Sequence, residues 1–485
     1  MKITATDRPK MLHRREFIAS ATALFGASAS LAADAGRTVP ARTSANRCAA
    51  AGKNAVREDL ETPLAGESDV IVVGGGPAGI AAAVTAARDG AKVRLFELQG
   101  CLGGVWTSGM LTYLWDFNKS DFDREIIRRL EKYGAAVYDR TDAYDVRRNF
   151  VYEPEYMKFV CEDLCTEAGV KFTLQCPVVA AYRDGSGRNV ETVVTESKSG
   201  RQAWRAKCFI DCSGDGDLAA LAGCGYDLGY FKDGTGQPAT LNALVVVRDA
   251  EALREYISNM PAMWDTRVKT HIPSSHAFRA VLRKTGLEPS YSDPTLWRLH
   301  GNLLALMANH EYRLPLDDAG AITAATVRAR REIHQIVSRL DSLGGPWRGM
   351  RIAATAEQIG HREARRIHGR YTVTREDVAR GATFGDALTK SRFGIDIHGL
   401  DLKANLAKAA GGNMGAEFKP FDIPLRACIA RDADNLYMAG RDISGDFIAH
   451  ASYRVTGSSV ALGAGVGAAV ARRIRRENIH AVPME

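Results

Sequence analysis

His361 stands next to Arg362, and His450 stands four residues before Arg454. Histidine is the side chain whose ordinary pKa suits a base near neutral pH. Arginine presents a fixed fork of donors that clamps a carboxylate or a developing oxyanion. Together they suit removal of a proton from a substrate whose negative charge is then held. Each pair also has a structural explanation. His450 can cap a helix while Arg454 closes a buried ion pair. His361 and Arg362 can lie on an arginine-rich helix face, Gly360-His361-Arg362-Glu363-Ala364-Arg365-Arg366, paired to Glu357 and Glu363. Gln237 and Thr240, in Gly236-Gln237-Pro238-Ala239-Thr240-Leu241, are further candidates to face a pocket, with a turn and strand entry as the alternative.

Such residues need a scaffold, and Ser68–Gly104 supplies one. An apolar strand, Asp69-Val70-Ile71-Val72-Val73, runs into Gly74-Gly75-Gly76-Pro77-Ala78-Gly79. An Ala-rich helix follows, then a second strand, Lys92-Val93-Arg94-Leu95-Phe96, that ends in Glu97. Gly74 permits the tight turn, Gly76 lets backbone approach a pyrophosphate, and Gly79 lets helix and strand pack closely. The helix N-terminus offers free N–H groups and the positive end of its dipole. Glu97, about 20 residues on, can accept hydrogen bonds from a ribose. The alternative is a glycine-rich turn in some other α/β protein.

Further along, Glu153–Gly225 reads as a helix from Met157, two short strands, a hairpin around Ser197-Lys198-Ser199-Gly200, and a buried strand Lys207–Asp211 running into Cys212-Ser213-Gly214-Asp215-Gly216-Asp217. Tyr226–Ser342 carries scattered aromatics and no parallel-strand signature; a mainly helical and irregular substrate domain is expected. Asn435-Leu436-Tyr437-Met438-Ala439-Gly440 is another buried strand, and Gly457–Ala471 an Ala- and Gly-rich helix. No strand precedes Gly463, Gly465 and Gly467, so close helix packing explains them better than a second dinucleotide site.

The first 67 residues differ in kind. His13-Arg14-Arg15-Glu16-Phe17-Ile18 is a twin-arginine pattern ahead of a short, weakly apolar run and small-residue cleavage sites near Ala32–Ala35. The run is too short and polar for a membrane span. Met11 is a second candidate start. No other stretch is long and apolar enough to span, so no membrane span is expected in the mature protein. The 485 residues carry 64 Lys and Arg against 57 Asp and Glu, a net charge of +7. With no basic block interleaved with aromatics, nucleic acid is not an expected partner. The nine cysteines form no CxxC pair and mostly sit in apolar contexts, as buried thiols would; none of their spacings suits a metal.

The order of these pieces resembles the FAD-dependent oxidoreductase family of the glutathione-reductase-type flavoprotein superfamily over nearly all of Ser68–Arg472. The motifs are Val73–Gly79, Leu102-Gly103-Gly104, Ile210–Asp217, Gly360–Ile367 and Asn435–Arg441. The resemblance implies an α/β fold: a Rossmann-like FAD-binding domain of glutathione-reductase type with a discontinuous mixed substrate or cap domain. The expected segments are a twin-arginine signal peptide (1–35), a linker (36–67), the FAD-binding domain (68–225, 343–370 and 420–475) and the substrate domain (226–342 and 371–419). It implies non-covalent FAD held by Gly74, Gly76, Pro77, Ala78 and Gly79 at the pyrophosphate, Glu97 at the ribose and Val178 at the adenine. Gly103, Gly104, Gly214, Asp215, Gly440 and Asp442 would lie along the dinucleotide. Many relatives have Asp directly after the residue aligned with Gly440; here Arg441 stands there, and Asp442 follows. The covalent-linkage His of some relatives is absent, which leaves nearby Cys101 as a covalent alternative. In this architecture the final helix starts near the flavin ring, which brings His450 and Arg454 to the chemistry, with His361 and Arg362 next. The expected function is an exported, periplasmic dehydrogenase or oxidase that passes a small molecule's hydride to flavin and on to a quinone, cytochrome or O₂, with the Tat machinery as export partner. The alternatives are an NAD(P)H-dependent flavin reductase or monooxygenase, and a non-catalytic flavin-binding protein.

Overall fold

The computed structural model describes residues 47–52, 55–117, 119–138, 149–229, 234–260, 273–407 and 415–480. The twin-arginine segment and the first part of the expected linker lie outside them. Arg47–Gly52 and Ala55–Asp59 pair as an antiparallel hairpin of their own where a flexible linker is expected. Residues 62–485 form one compact unit. Its first strand starts at Leu64, not Ser68, because Leu64–Glu67 already pairs with Ala203–Arg205.

A seven-stranded sheet carries the glycine-rich turn. Its parallel part runs Lys171–Thr173, Val93–Phe96, Leu64–Val73, Gln202–Asp211. The C-terminal half of Gln202–Asp211 then pairs in parallel with Leu436–Met438. Its N-terminal half turns into an antiparallel meander with Val190–Thr195 and Val178–Arg183. Val70, Ile71, Val72 and Val73 are all buried, the continuous apolar pattern of a strand covered on both faces. One continuous strand over Gln202–Asp211 replaces the two pieces expected there.

The helix Pro77–Arg88 leaves the first strand at Gly76, with Pro at its first position. The final helix, Thr456–His480, lies against it. A methyl added at Gly463 would sit 2.1 Å from the Ala78 carbonyl oxygen, and one at Gly467 would sit 2.4 Å from that of Ala82. Two residues four apart on one helix thus meet two residues four apart on the other, the packing the glycine spacing suggested.

The region after Tyr226 is where sequence and structure part. It holds a four-stranded antiparallel sheet, Thr295–His300, Leu303–Met307, Ala243–Val246 and Arg351–Thr355 in that order, rather than a mainly helical array. These strands read Ala-Leu-Val-Val and Leu-Leu-Ala-Leu-Met, rich in residues that favour helices, so short runs carry no distinguishing period. The Gly301-Asn302 hairpin turn was the available signal. The helix Ala319–Leu343 lays Ala325, Ala329, Ile333, Ile336 and Leu340 on this sheet's core, started by an Asp318 cap and ended at Gly344. Trp347, Met350 and Ile359 pack in the same second core, whereas Val373, Val378 and Ile395 join the first.

The helix contact yields a test. Gly463→Ala and Gly467→Ala should each lower stability in urea by about 1–3 kcal/mol through overpacking, although Ala favours helix by about 1 kcal/mol. The atoms nearest an added methyl at Gly465 all belong to the Leu388 side chain, from 3.1 Å, so Gly465→Ala should cost clearly less. Equal effects at all three positions would contradict the close backbone contact.

Candidate active site

Two adjoining cavities open between the sheet and the second core. The first is a cleft along the glycine-rich turn. It is lined by Gly74, Gly76, Pro77 and Ala78, by Glu97, Gly104 and Val178, and by Gly214, Asp215 and Gly440. The second is lined by aromatics and by Arg362, Asp396 and His398. Val105, Gly360, His361, Arg441, Arg454 and Thr456 line both, so one wall serves cleft and cavity alike.

The cleft has the chemistry of a dinucleotide cradle. Gly74 has φ +98°, and a methyl there would meet the Cys212 carbonyl oxygen at 2.4 Å. A methyl on Gly79 would lie 1.8 Å from the Gly74 oxygen, so this glycine serves turn packing rather than the cleft wall. Gly76 has only the Gly104 Cα within 4.0 Å of an added methyl, which leaves its cleft face open to a phosphate. No side chain caps the helix behind it and its first turn holds no acid, so an anion would meet an unopposed dipole. Gly103 has φ +108° and donates its N–H to the Gly75 carbonyl at 2.8 Å; it shapes the turn from behind. Glu97 is buried, and accepts from Gly75 N–H at 2.5 Å and from Gln99 N–H at 2.7 Å. Burial raises its pKa, and those backbone bonds oppose the rise.

Arg441, the residue that departs from the usual pattern, donates to Asp215 Oδ1 at 2.5 Å and lies over Gly214. Burial alone would raise the Asp215 pKa, but Arg441, His361 and Arg365 together hold it below the ordinary carboxylate range. Asp442 does not line the cleft. It is fully buried, neither carboxylate oxygen has a hydrogen-bond partner among the described residues, and burial raises its pKa. Cys101 is buried too, with Sγ 3.6 Å from Thr107 Oγ1, and its thiol is pushed up by burial. It does not line the cleft, which favours flavin held without a covalent bond.

The cavity is held together by ion pairs and hydrogen bonds from distant segments. Arg454 donates to Asp396 Oδ2 at 3.1 Å, and His398 Nε2 lies 3.3 Å from the same oxygen. Arg454 therefore makes an ion pair, though a partly exposed one, and also lines both cavities. His398 is neutral at pH 7, with its pKa lowered to about 4 by burial and Arg362 against the pull of Asp396. Arg362 donates to the Pro238 carbonyl, to Thr240 Oγ1 at 3.0 Å and to His310 Nε2 at 3.1 Å. That last bond fixes the His310 proton on Nδ1. Burial, with Arg454 nearby, brings the Arg362 pKa down to about 10. Gln237 is not on the wall; its side-chain oxygen accepts from His398 N–H at 2.9 Å and so supports the loop.

His361 sits at the shared wall. Its pKa is lowered by burial, with Asp215 raising it and Arg441 lowering it. Nδ1 is buried and unpartnered among the described residues. The segment around it is no arginine-rich helix: Gly360 bridges to Thr240, and Arg365–Ile367 is a strand paired with Tyr226–Leu228. His450 lies inside a short helix, Phe447–Tyr453, and not at the start of the final one. It is completely buried, lines neither cavity, and has no partner for either ring nitrogen among the described residues. Asp396, His398, Tyr291 and His310 were not singled out from sequence; the alternating Asp396-Ile397-His398 between Gly394 and Gly399 was the one signal present.

Burial depresses His450 well below its ordinary pKa, with Arg366, Arg454 and Arg441 adding repulsion. Between the unfolded pKa near 6.5 and the lower native value, the unfolded chain binds the proton and the native protein does not. His450 therefore contributes stability that is complete above about pH 6.5 and is lost on acidification. His450→Leu removes that loss. Its stability relative to wild type, from urea unfolding at pH 7.5 to 5, should rise by up to about 1.4 kcal/mol per pH unit below 6.5. Parallel pH profiles would mean that native His450 titrates normally.

Residues 69–485 match the family described as FAD dependent oxidoreductase. The thiamine thiazole synthase of Methanothermobacter thermautotrophicus is 37% identical over 109 residues, which span 22% of this chain and 37% of that protein, little more than a third of its length. A geranylgeranyl bacteriochlorophyll reductase-like protein from Thermoplasma acidophilum aligns over 85% of this chain and 79% of its own, at 12% identity and a TM-score of 0.42. The p-nitrophenol 4-monooxygenase of Pseudomonas putida aligns over 87% and 82%, at 12% identity and a TM-score of 0.40. Because the family match runs from the first strand to the C-terminal residue, and the cleft has the cradle that FAD requires, the chain belongs to the FAD-dependent oxidoreductase family, with FAD as its cofactor.

Proposed function

We propose that this protein is a dehydrogenase or oxidase of glutathione-reductase-type fold that oxidises a small molecule in the aromatic cavity. The observation that carries this reading is the wall common to cleft and cavity. FAD, when bound, supplies a two-electron acceptor whose N5 takes a hydride. Gly76, Gly104 and the helix N-terminus at Pro77 would hold its pyrophosphate, Glu97 its ribose, and Gly440 with the Arg441–Asp215 pair the stretch toward the cavity.

The residues of this chain handle the proton and the charge. His361 borders both spaces and is neutral at pH 7, so it can accept the proton that the substrate's hydroxyl or amine loses as its carbon gives up a hydride. With Nδ1 buried, Nε2 is the nitrogen left to take it. Arg454 faces the same place and offers charge to a developing oxyanion. His398, held by Asp396, lies on the cavity wall alone and serves binding.

Export completes the proposal. Arg14-Arg15 would route the folded, flavin-loaded protein through the Tat system to the periplasm. No NAD(P)H pool exists there, so a quinone, cytochrome or O₂ would take the electrons. Replacing both arginines with Lys should leave yellow, folded protein in the cytoplasm; unchanged export would reject the route.

Anaerobic flavin bleaching tests the chemistry. A substrate from a panel of hydroxy acids, amines and unsaturated acids should bleach the flavin, whereas bleaching by NADPH alone would favour the monooxygenase reading. His361→Gln should keep FAD and slow bleaching by about 10²–10⁴-fold, the range of a lost general base. His398→Gln should act mainly on substrate affinity. The wild-type rate should be flat above neutral pH and fall in acid only below the ordinary histidine range, because the His361 pKa is depressed. A larger rate loss at His398 than at His361 would reverse the two roles.

A further inference from the structure

Among the described residues, Arg362 on the cavity wall makes no ion pair. The three partners of Arg362 are all neutral: the Pro238 carbonyl, Thr240 Oγ1 and His310 Nε2. The nearby carboxylate, Asp396, makes its direct contacts with Arg454 and His398 and acts on Arg362 only through space. His310 and His398 carry no charge at pH 7, since burial lowers both. Holding a guanidinium in a low-dielectric wall without a directly paired opposite charge is costly, and a ligand that brings an anion into contact relieves that cost. Arg454 and Arg441 also line the shared wall, each paired with its own carboxylate, Asp396 and Asp215, which leaves Arg362 as the surplus charge.

The rest of the wall is aromatic. Tyr113, Trp115, Trp297 and Tyr291 face the same space. Tyr113 packs edge-on against Trp115 with centroids 5.5 Å apart, and lies 5.4 Å from Trp297. These rings fix one another's orientation and present flat faces suited to an aromatic or conjugated body. No described residue hydrogen-bonds the Tyr291 hydroxyl, whose ring packs 4.1 Å from that of His310. An anionic head beside Arg362 would come within its reach.

We propose, resting on the flavoenzyme reading above, that the substrate is a small monocarboxylic acid with a flat aromatic or conjugated body, its carboxylate on Arg362 and its body among the four rings. The bidentate fork of Arg matches a carboxylate in geometry and charge, which a neutral amide of the same shape does not.

The test uses the FAD-loaded full-length protein and equilibrium binding. Quenching of tryptophan fluorescence, to which Trp115 and Trp297 contribute from the wall, would be titrated with benzoate, phenylacetate and cinnamate and with the amide of each. At least one acid should bind 10- to 100-fold, or about 1.4–2.8 kcal/mol, more tightly than its amide. Arg362→Gln should weaken that acid by about the same factor and leave the amide nearly unchanged, with Arg362→Lys between. Amides binding as well as their acids, no binding by any acid, or an acid affinity untouched in Arg362→Gln would each overturn the assignment. The acid–amide comparison needs only wild-type protein, so it stands even if a variant fails to fold. Flavin content is read on the same samples. A protein that takes up no FAD refutes the oxidoreductase reading, whereas a yellow protein indifferent to carboxylates refutes only the substrate class.

Discussion

The backbone contact between the final helix and the helix of the glycine-rich turn governs where everything else can sit. Gly463 over Ala78 and Gly467 over Ala82 leave no room for a side chain. At that separation the start of the final helix is fixed beside the helix N-terminus that faces the cleft. Thr456 and Arg454 thereby become part of the cleft wall. A second close contact, Gly457 with a hypothetical methyl 2.3 Å from the Asp116 carbonyl, pins the same end. Asp116 is itself buried in a pair with Lys119, which also donates to Ser458 Oγ at 2.8 Å. Small residues and one buried ion pair thus set the position of the shared wall to within a side chain's width.

The electrostatics follow from that placement. Among the described residues the site gathers three arginines but only two close carboxylate partners for them, Asp215 with Arg441 and Asp396 with Arg454. Burial and the surplus of positive charge depress the pKa of His310, His361 and His398 alike. Neutral histidines among charged arginines divide the labour: the first can take protons, and the second can hold anions. Burial likewise keeps His450 uncharged within the core.

Much of the flavin half was legible because its demands fall on the backbone. Gly74, Gly76 and Gly104 are required by turn geometry and close approach, and only glycine meets those requirements, so their spacing carries information in one dimension. The alternate glycines of the final helix were legible for the same reason. The second sheet was not, since Leu-, Ala- and Met-rich runs of four to six residues fit helix and strand equally. The cavity was legible only in part. Arg362 meets His310 across 52 positions and Arg454 meets Asp396 across 58, distances that no local pattern encodes. His450 shows the complementary limit: its place in the chain is close to the wall, but the turn of one short helix sends its ring into the core. Arg441 shows a third, because the pair it makes with Asp215 depends on a contact 226 residues away.

FAD held in the cleft would set its ring against the wall shared with the aromatic cavity. A diffraction structure of the protein crystallised with FAD tests it most directly. The pyrophosphate should lie on the helix N-terminus at Pro77, the ribose at Glu97, and the ring among Val105, Gly360, His361 and Arg441. A flavin ring lying away from that wall, or a cleft that stays empty at saturating FAD, would contradict it.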